Sequence, residues 1–192
     1  MGTVPLVPRI EPLKEPYDAD TAAQLAKWMP PGAAVEPLAL FRTLCVHPDL
    51  AARMRPLGAG LLGHGLLEPR DRELIVLRTC ARCGAEYEWG VHAVAFAGAV
   101  GLSQAHLDAT AAGRADDPAF SAHDRVLVRL ADELYETNTV SEELWPELVA
   151  RFSDAQLLEL IAAAGWYRTI SYVINAARVE HEPWAARFPD ER

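Results

Sequence analysis

The stretch "RDRELIVLRTCARCGAEYEWGVHAVAFAGAVGLS", residues 70–103, has the pattern of two consecutive helices. In its first half, apolar residues such as Leu74 and Ile75 recur at helical spacing. Gly84 then interrupts the pattern, since glycine is a poor helix former. A second apolar segment begins just past this glycine and is predicted to continue as one helix until Gly101.

Helical patterns also extend on both sides of this stretch. Ser121 with Asp124, and Ser153 with Gln156, have the spacing of capping boxes, in which a serine and a residue three positions later bond each other's backbone donors. In the leucine-rich segment that follows Pro48, Pro56 and several glycines are predicted to kink or shorten the helix. No segment alternates with period two over a strand's length. The sequence therefore predicts an all-α fold.

The N-terminal region differs from the rest of the chain. Its prolines recur at a spacing that forbids a helix: Pro5, Pro8, Pro12 and Pro16. We therefore predict an extended arm over residues 1–17 and one helical domain over residues 18–192. A chain of 192 residues is long enough for such a domain to be stable on packing alone.

Composition limits the classes of partner. The formal net charge is −9 and the pI is about 5.1, whereas nucleic acids and anionic membranes require a basic surface. We therefore expect a small-molecule partner, with no nucleic acid and no membrane. The N-terminus lacks the basic start and apolar run of a secretory signal, which predicts a cytoplasmic protein. The three cysteines are an odd number, which disfavours a disulfide framework.

Two pairs of reactive side chains compete within the quoted stretch. Glu88 and His92 are four residues apart, so they share one face of the second helix and can act together in proton transfer. The alternative is a solvated pair of no chemical consequence, and spacing alone leaves both open. Cys80 and Cys83 have dithiol spacing, but they lie at the C-terminal end of a helix, where a thiolate is disfavoured. Two small core residues are the alternative there, and no further ligands complete a metal site.

Four other residues are candidates for contacting a substrate. Arg78 lies within an apolar helix, where a cation needs a carboxylate or an anionic ligand. A structural salt bridge is the alternative for this residue. Trp89 and Tyr87 are candidates for lining a pocket or for filling the core or a subunit interface. His64, between two glycines, is either a pocket residue or part of a surface loop.

The quoted stretch resembles the core of the carboxymuconolactone decarboxylase family, which also contains AhpD-type thiol reductants. The resemblance rests on Glu73 in the "RELIVLR" helix, on the aromatic and acidic turn, on His92, and on the stop at Gly101–Ser103. It continues upstream in "ALFRTLCVHPDL" and downstream in "DELYETNTVSEELWPEL". It implies an AhpD-like helical bundle that forms a homo-oligomer, with a trimer, a hexamer or a dimer as the options.

The peroxidase branch of this family carries a Cys-x2-Cys-x3-His motif. Counting back from His92, its two cysteine positions are occupied by Ala85 and Glu88. The Cys80–Cys83 pair is displaced from them, so the resemblance favours the carboxylates and the histidine over the dithiol.

The decarboxylase branch implies loss of CO₂ from a small lactone or keto acid without a cofactor, or a related lyase or isomerase step. The resemblance makes His92 the proton donor and acceptor, Glu73 its orienting carboxylate and Glu88 a second acid. Arg78 would then hold a substrate carboxylate. Two alternatives remain: an AhpD-like thiol peroxide reductase that uses Cys80 and Cys83, and a non-catalytic ligand-binding or assembly protein.

Overall fold

The computed structural model describes residues 7–30 and 36–189, and the regular structure in these ranges is helical, which confirms the predicted fold class. The elements, in chain order, are α1 (Ala19–Ala26), α2 (Ala39–Leu44), α3 (Pro48–Gly63), α4 (Pro69–Arg82), α5 (Glu86–Ala95), a 3-10 turn (Gly98–Val100), α6 (Gln104–Ala112), α7 (Ala122–Thr137), α8 (Trp145–Val149) and α9 (Asp154–Ala177). None of the helices in the described ranges is both long and apolar enough to cross a membrane.

The chain divides into two compact units, the first made of residues 1–64 and 173–183. Within this unit, α1 and α2 both pack against α3. Described residues of the predicted arm carry no helix, and the backbone N–H of Arg9 donates to the carbonyl of Ala177 at 2.8 Å. Residues 1–6 of the arm lie outside the described residues, so its boundary and the single-domain assignment stay predictions.

The second unit comprises residues 65–172 and 184–192 and contains the stretch with which the sequence analysis began. Its central element is α4, which packs against α5, α6 and α7. Side chains from Leu74 to Cys80 are all buried, so α4 is enclosed on every face. A polar side chain buried on such a helix requires a partner.

Both predicted capping boxes are present. Ser121 and Asp124 exchange side-chain to backbone hydrogen bonds at the start of α7. At the start of α9, the Gln156 side chain accepts from the Ser153 N–H at 3.0 Å, and the Ser153 hydroxyl accepts from the Gln156 N–H at 3.4 Å. Each box satisfies backbone donors that the first helical turn leaves open.

One predicted helix boundary was wrong. The helix after Gly84 ends at Ala95 rather than at Gly101, because the His92 carbonyl accepts from both Phe96 and Ala97 and closes the last turn. A short 3-10 turn fills the rest of the segment. The helix α3 runs through Pro56 and ends at Gly63, and the predicted kink stays a prediction. Proline removes one backbone donor, and the turns on either side are sufficient to continue this helix.

Candidate active site

Three buried polar side chains from α4 and α5 meet inside the second unit. Glu73 projects from α4, and Glu88 and His92 project from one face of α5. The His92 Nδ1–H donates to Glu73 Oε2 at 2.7 Å, while His92 Nε2 lies 3.6 Å from Glu88 Oε1. Glu73 is fully buried and His92 is 2% exposed. The imidazole therefore has a carboxylate at each ring nitrogen, away from bulk water.

This environment changes the protonation of His92. Burial by itself lowers the pKa of an imidazole, but contact with Glu73 and Glu88 outweighs it and raises the pKa of His92 from 6.5 to about 9. His92 is therefore an imidazolium at neutral pH. Arg72 adds a cation to the cluster, since its Nε lies 3.4 Å from Glu73 Oε1.

The two ring nitrogens of His92 differ in their hydrogen bonding. A distance of 2.7 Å at Nδ1 is a strong charge-assisted hydrogen bond, whereas 3.6 Å at Nε2 is too long for one. Glu88 Oε2 is buried and has no hydrogen-bond partner. Nε2 of His92 and the carboxylate of Glu88 are therefore the groups with hydrogen-bonding capacity to offer a ligand.

Two aromatic rings surround the imidazole. The Phe96 ring centroid lies 4.8 Å from that of His92, and the Tyr167 ring meets it edge-on at 5.1 Å. Burial, with the nearby charges of Glu88 and Glu73, raises the pKa of Tyr167 well above its usual value, so its phenol stays neutral. Tyr167 is almost fully buried, but Phe96 is 36% exposed and is the ring next to the imidazole that reaches the surface.

Arg78 does not join this cluster. Its Nε and Nη2 donate to the two carboxylate oxygens of Asp132 at 2.7 and 2.9 Å, and its Nη1 donates to the carbonyls of Thr110 and Gly113. This bidentate arrangement is the salt bridge that the sequence left open as the alternative. Four of its N–H groups are bonded within the protein, and a role for Arg78 in substrate binding stays a prediction.

The other three candidates for contacting a substrate lie in the core or at the end of a helix. Trp89 is buried, and its Nε1 donates to Thr110 Oγ1 at 3.2 Å, while its ring packs 5.2 Å from that of Phe188. Tyr87 is a buried residue of α5. His64 is the exposed C-cap residue of α3 and belongs to the first unit. A role in substrate binding for these three residues remains a prediction.

The two cysteines lie in environments that disfavour the thiolate. Cys80 is fully buried, and burial together with the nearby charges of Glu88 raises its pKa well above 9.0. Cys83, the C-cap residue of α4, also has a raised pKa because of burial. Neither forms a disulfide. A thiol of raised pKa is a poor nucleophile at neutral pH, whereas peroxide-reducing thiols require a lowered one.

The part of the chain that the structure describes has no group of His, Cys, Asp and Glu side chains arranged to hold a metal ion. At the candidate site, Glu73 and Glu88 lie at opposite nitrogens of one imidazole, so their oxygens and the ring do not converge on one point. A cavity of about 170 Å³ lies elsewhere in the second unit, lined by residues that include Thr79, Leu134 and Ile161 but not His92.

Sequence reasoning missed the aromatic walls of the site. Phe96 is four residues after His92, so helical spacing could have placed it on the same face. Tyr167 lies on α9, and no local pattern in the sequence connects it with His92.

Comparisons with known proteins agree with this fold. Residues 48–133 match the family model described as the carboxymuconolactone decarboxylase family. A search of curated proteins finds no match. Among solved structures, an uncharacterised peroxidase-related protein from a Silicibacter species has a TM-score of 0.77 at 15% identity, covering 94% of this chain and 95% of that one.

Two further solved structures are similar over most of their length. The debrominase Bmp8, in complex with 2,3,4-tribromopyrrole, has a TM-score of 0.71 at 14% identity, and the match covers 91% of this chain and 92% of that one. An AhpD core protein from Ralstonia eutropha, also described as peroxidase-related, has a TM-score of 0.67 at 15% identity, with 91% and 93% covered. At these identities the likeness establishes the AhpD-like helical fold alone.

Proposed function

We propose, on the premise that the chain belongs to the superfamily of carboxymuconolactone decarboxylase and AhpD-like proteins, that it is a cofactor-free acid/base enzyme. Its substrate is a small lactone or keto acid, and its reaction is decarboxylation or a related lyase or isomerase step. The observation that carries the proposal is a buried imidazole with a pKa of about 9 held between two carboxylates.

The reaction needs a proton donor at a carbon atom and a hydrogen-bond donor at an oxygen. When the bond from the carboxylate carbon to its neighbour breaks, CO₂ leaves and the electron pair moves onto the lactone or ketone oxygen as an enolate. The Nε2–H of His92 first stabilises that oxygen and then supplies the proton to carbon. Glu73 keeps the Nδ1–H in place, and Glu88 returns a proton to Nε2 from water.

A substrate must be able to reach Nε2. Because His92 is 2% exposed, a neighbouring side chain has to move before a ligand can contact it. Phe96 packs against the imidazole, is 36% exposed and occupies the C-cap of α5. We assign Phe96 as the side chain that moves.

The test is turnover of a carboxymuconolactone, with CO₂ release and deuterium uptake at the product carbon both measured. Replacing His92 by Gln should lower turnover by about 100-fold or more, as expected for loss of a general acid. His123→Gln is the matched control, because His123 Nε2 lies 2.9 Å from both carboxylate oxygens of Asp71, away from the cluster. Equal turnover in His92→Gln and the wild type would refute the assignment.

The two alternatives give different outcomes. Peroxide turnover that is lost in a Cys80→Ser/Cys83→Ser double variant would favour the thiol reductase. If His92→Gln and Glu73→Gln lower the free energy of unfolding, and the wild type neither releases CO₂ nor exchanges deuterium on any lactone or keto acid, the pair would be purely structural. The raised pKa values of both thiols support acid/base chemistry over the first alternative.

Self-association and a cytoplasmic location belong to the same proposal. The exposed face of α9 carries apolar side chains, with Leu158 69% and Ile161 37% exposed. Burial of such a face against other copies would remove apolar area from water. Light scattering after gel filtration gives the mass in solution, and a monomer at all concentrations would refute the homo-oligomer.

A further inference from the structure

The C-terminal segment, residues 184–188, packs against α5 within the second unit. The backbone N–H of Phe188 donates to Glu86 Oε1 at 2.8 Å, and the Phe188 ring centroid lies 5.2 Å from that of Trp89. At the surface, Arg187 Nη1 lies 2.9 Å from Glu86 Oε2. A hydrogen bond, an aromatic contact and an ion pair thus connect the segment with the start of α5.

The segment approaches the backbone of α5 closely at Gly90. The Ala186 N–H donates to the Gly90 carbonyl at 3.3 Å. A Cβ at position 90 would lie 2.1 Å from the Ala186 carbonyl oxygen, which is a clash with backbone. Glycine is a poor helix former, so its presence in the middle of a helix of ten residues needs a reason. The close approach of the C-terminal segment supplies that reason.

The first turn of α5 has no side-chain cap. Its N-cap residue is Ala85, whose side chain forms no hydrogen bond to the helix. The first turn of a helix leaves backbone donors without intrahelical partners, and such an end frays unless other contacts hold it. Glu88 is the third residue of α5, between Glu86 and Trp89, which the segment contacts. The contacts of the segment therefore lie on both sides of the residue whose carboxylate faces His92.

We propose that the C-terminal segment is a positioning element of the acid/base cluster, in which Ala186 and Phe188 fix the first turn of α5 and thereby hold Glu88 beside His92. This inference rests on the proposed function, in which Glu88 returns a proton to the imidazole. Glu88 Oε1 lies 3.6 Å from His92 Nε2, and the attraction between two charges falls with their separation. A displaced first turn would therefore weaken this contact.

Other titratable groups around His92 come from different helices. Glu73 and Arg72 lie on α4, and Tyr167 lies on α9. The contacts of the segment described above are with α5, so their loss should move Glu88 and leave Glu73 in place. This difference separates a positioning role from a general loosening of the fold.

The first test is amide hydrogen exchange. The Trp89 N–H donates to the Ala85 carbonyl at 3.1 Å, so its exchange reports opening of the first turn. In Phe188→Ala this amide should exchange about ten-fold faster than in the wild type, as expected for loss of one aromatic contact. Gly90→Ala should also speed its exchange, because the added methyl group displaces the segment. Gly165→Ala is the matched control, since a Cβ at this position inside α9 meets no atom within 4 Å, and exchange should not change.

The second test is a double-mutant cycle on the pKa of His92, measured by NMR of a labelled imidazole. Phe188→Ala should lower this pKa towards its value in Glu88→Gln, because the carboxylate no longer stays at Nε2. Adding Phe188→Ala to Glu88→Gln should then leave the pKa of His92 unchanged. A purely structural segment would lower the free energy of unfolding in both backgrounds without producing this difference.

Two results would overturn the proposal. The first is unchanged exchange of the Trp89 amide in both Phe188→Ala and Gly90→Ala, which would mean that the first turn does not depend on the segment. The second is a pKa of His92 that Phe188→Ala leaves unchanged, or lowers equally with and without Glu88, which would mean that the segment does not act through this carboxylate. Neither readout depends on turnover, so the proposed function can fail without affecting them.

Discussion

The protonation of His92 provides the sharpest quantitative test of the candidate site. The perturbation is pH, combined with removal of one carboxylate at a time. The pKa of His92 rises from 6.5 to about 9 in the folded protein because Glu73 and Glu88 contact its two ring nitrogens. Glu73→Gln should lower this pKa more than Glu88→Gln does, since the first carboxylate lies at 2.7 Å and the second at 3.6 Å.

The same shift predicts how stability depends on pH. A pKa that is higher in the folded state means that the folded protein binds the proton more tightly than the unfolded chain. At about 1.4 kcal/mol per pH unit, a rise from 6.5 to about 9 corresponds to roughly 3 kcal/mol of stabilisation. This contribution is fully present below pH 6.5 and is lost as the pH rises through about 9.

Two measurements check this prediction. NMR of a ¹³C-labelled imidazole gives the pKa of His92 directly in the wild type and in both Gln variants. Urea denaturation between pH 6 and pH 10 gives the free energy of unfolding, and the wild-type advantage over Glu73→Gln should fall across this range. If His92 titrates near 6.5 in the wild type, or if neither variant changes its pKa, the electrostatic basis of the site is refuted.

Two further predictions concern the residues that the site does not use. Replacing Arg78 by Ala should lower the free energy of unfolding by about 3–5 kcal/mol in urea denaturation, because Asp132 keeps a charge without its bidentate partner; Arg114→Ala, at the exposed pair with Asp116, should cost less than about 1 kcal/mol. Cys83 should react slowly with a disulfide reagent at pH 7 and faster as the pH rises, whereas Cys80 should react only on unfolding, because burial raises both thiol pKa values; fast labelling of both thiols at pH 7 would contradict this.

Local patterns were reliable where the interactions are local. The capping boxes at Ser121 and Ser153 were predicted and are present, because each forms between residues three positions apart. The end of α5 was mispredicted, since the carbonyl of His92 accepts two N–H groups and closes the helix before Gly101, which was expected to end it. Apolar periodicity cannot show such a closure, because Phe96 continues the apolar pattern.

The sequence also predicted the candidate site only in part. Helical spacing placed Glu88 and His92 on one face, and only the family resemblance connected Glu73 with them. Spacing on a single helix cannot say whether such a pair is solvated or buried, and here α4 and α9 enclose it. For Arg78, the sequence indicated the need for a partner but did not identify that partner, which is Asp132 on α7.

The amino-acid sequence by itself determined the helical elements, their caps and the two reactive pairs, because each depends on residues within about one helical turn of one another. Tertiary packing alone decided which pair became a buried acid/base cluster, because the pKa of His92 depends on a carboxylate from another helix and on the exclusion of water. Such contacts join residues from separate helices, and no spacing within a single helix encodes them.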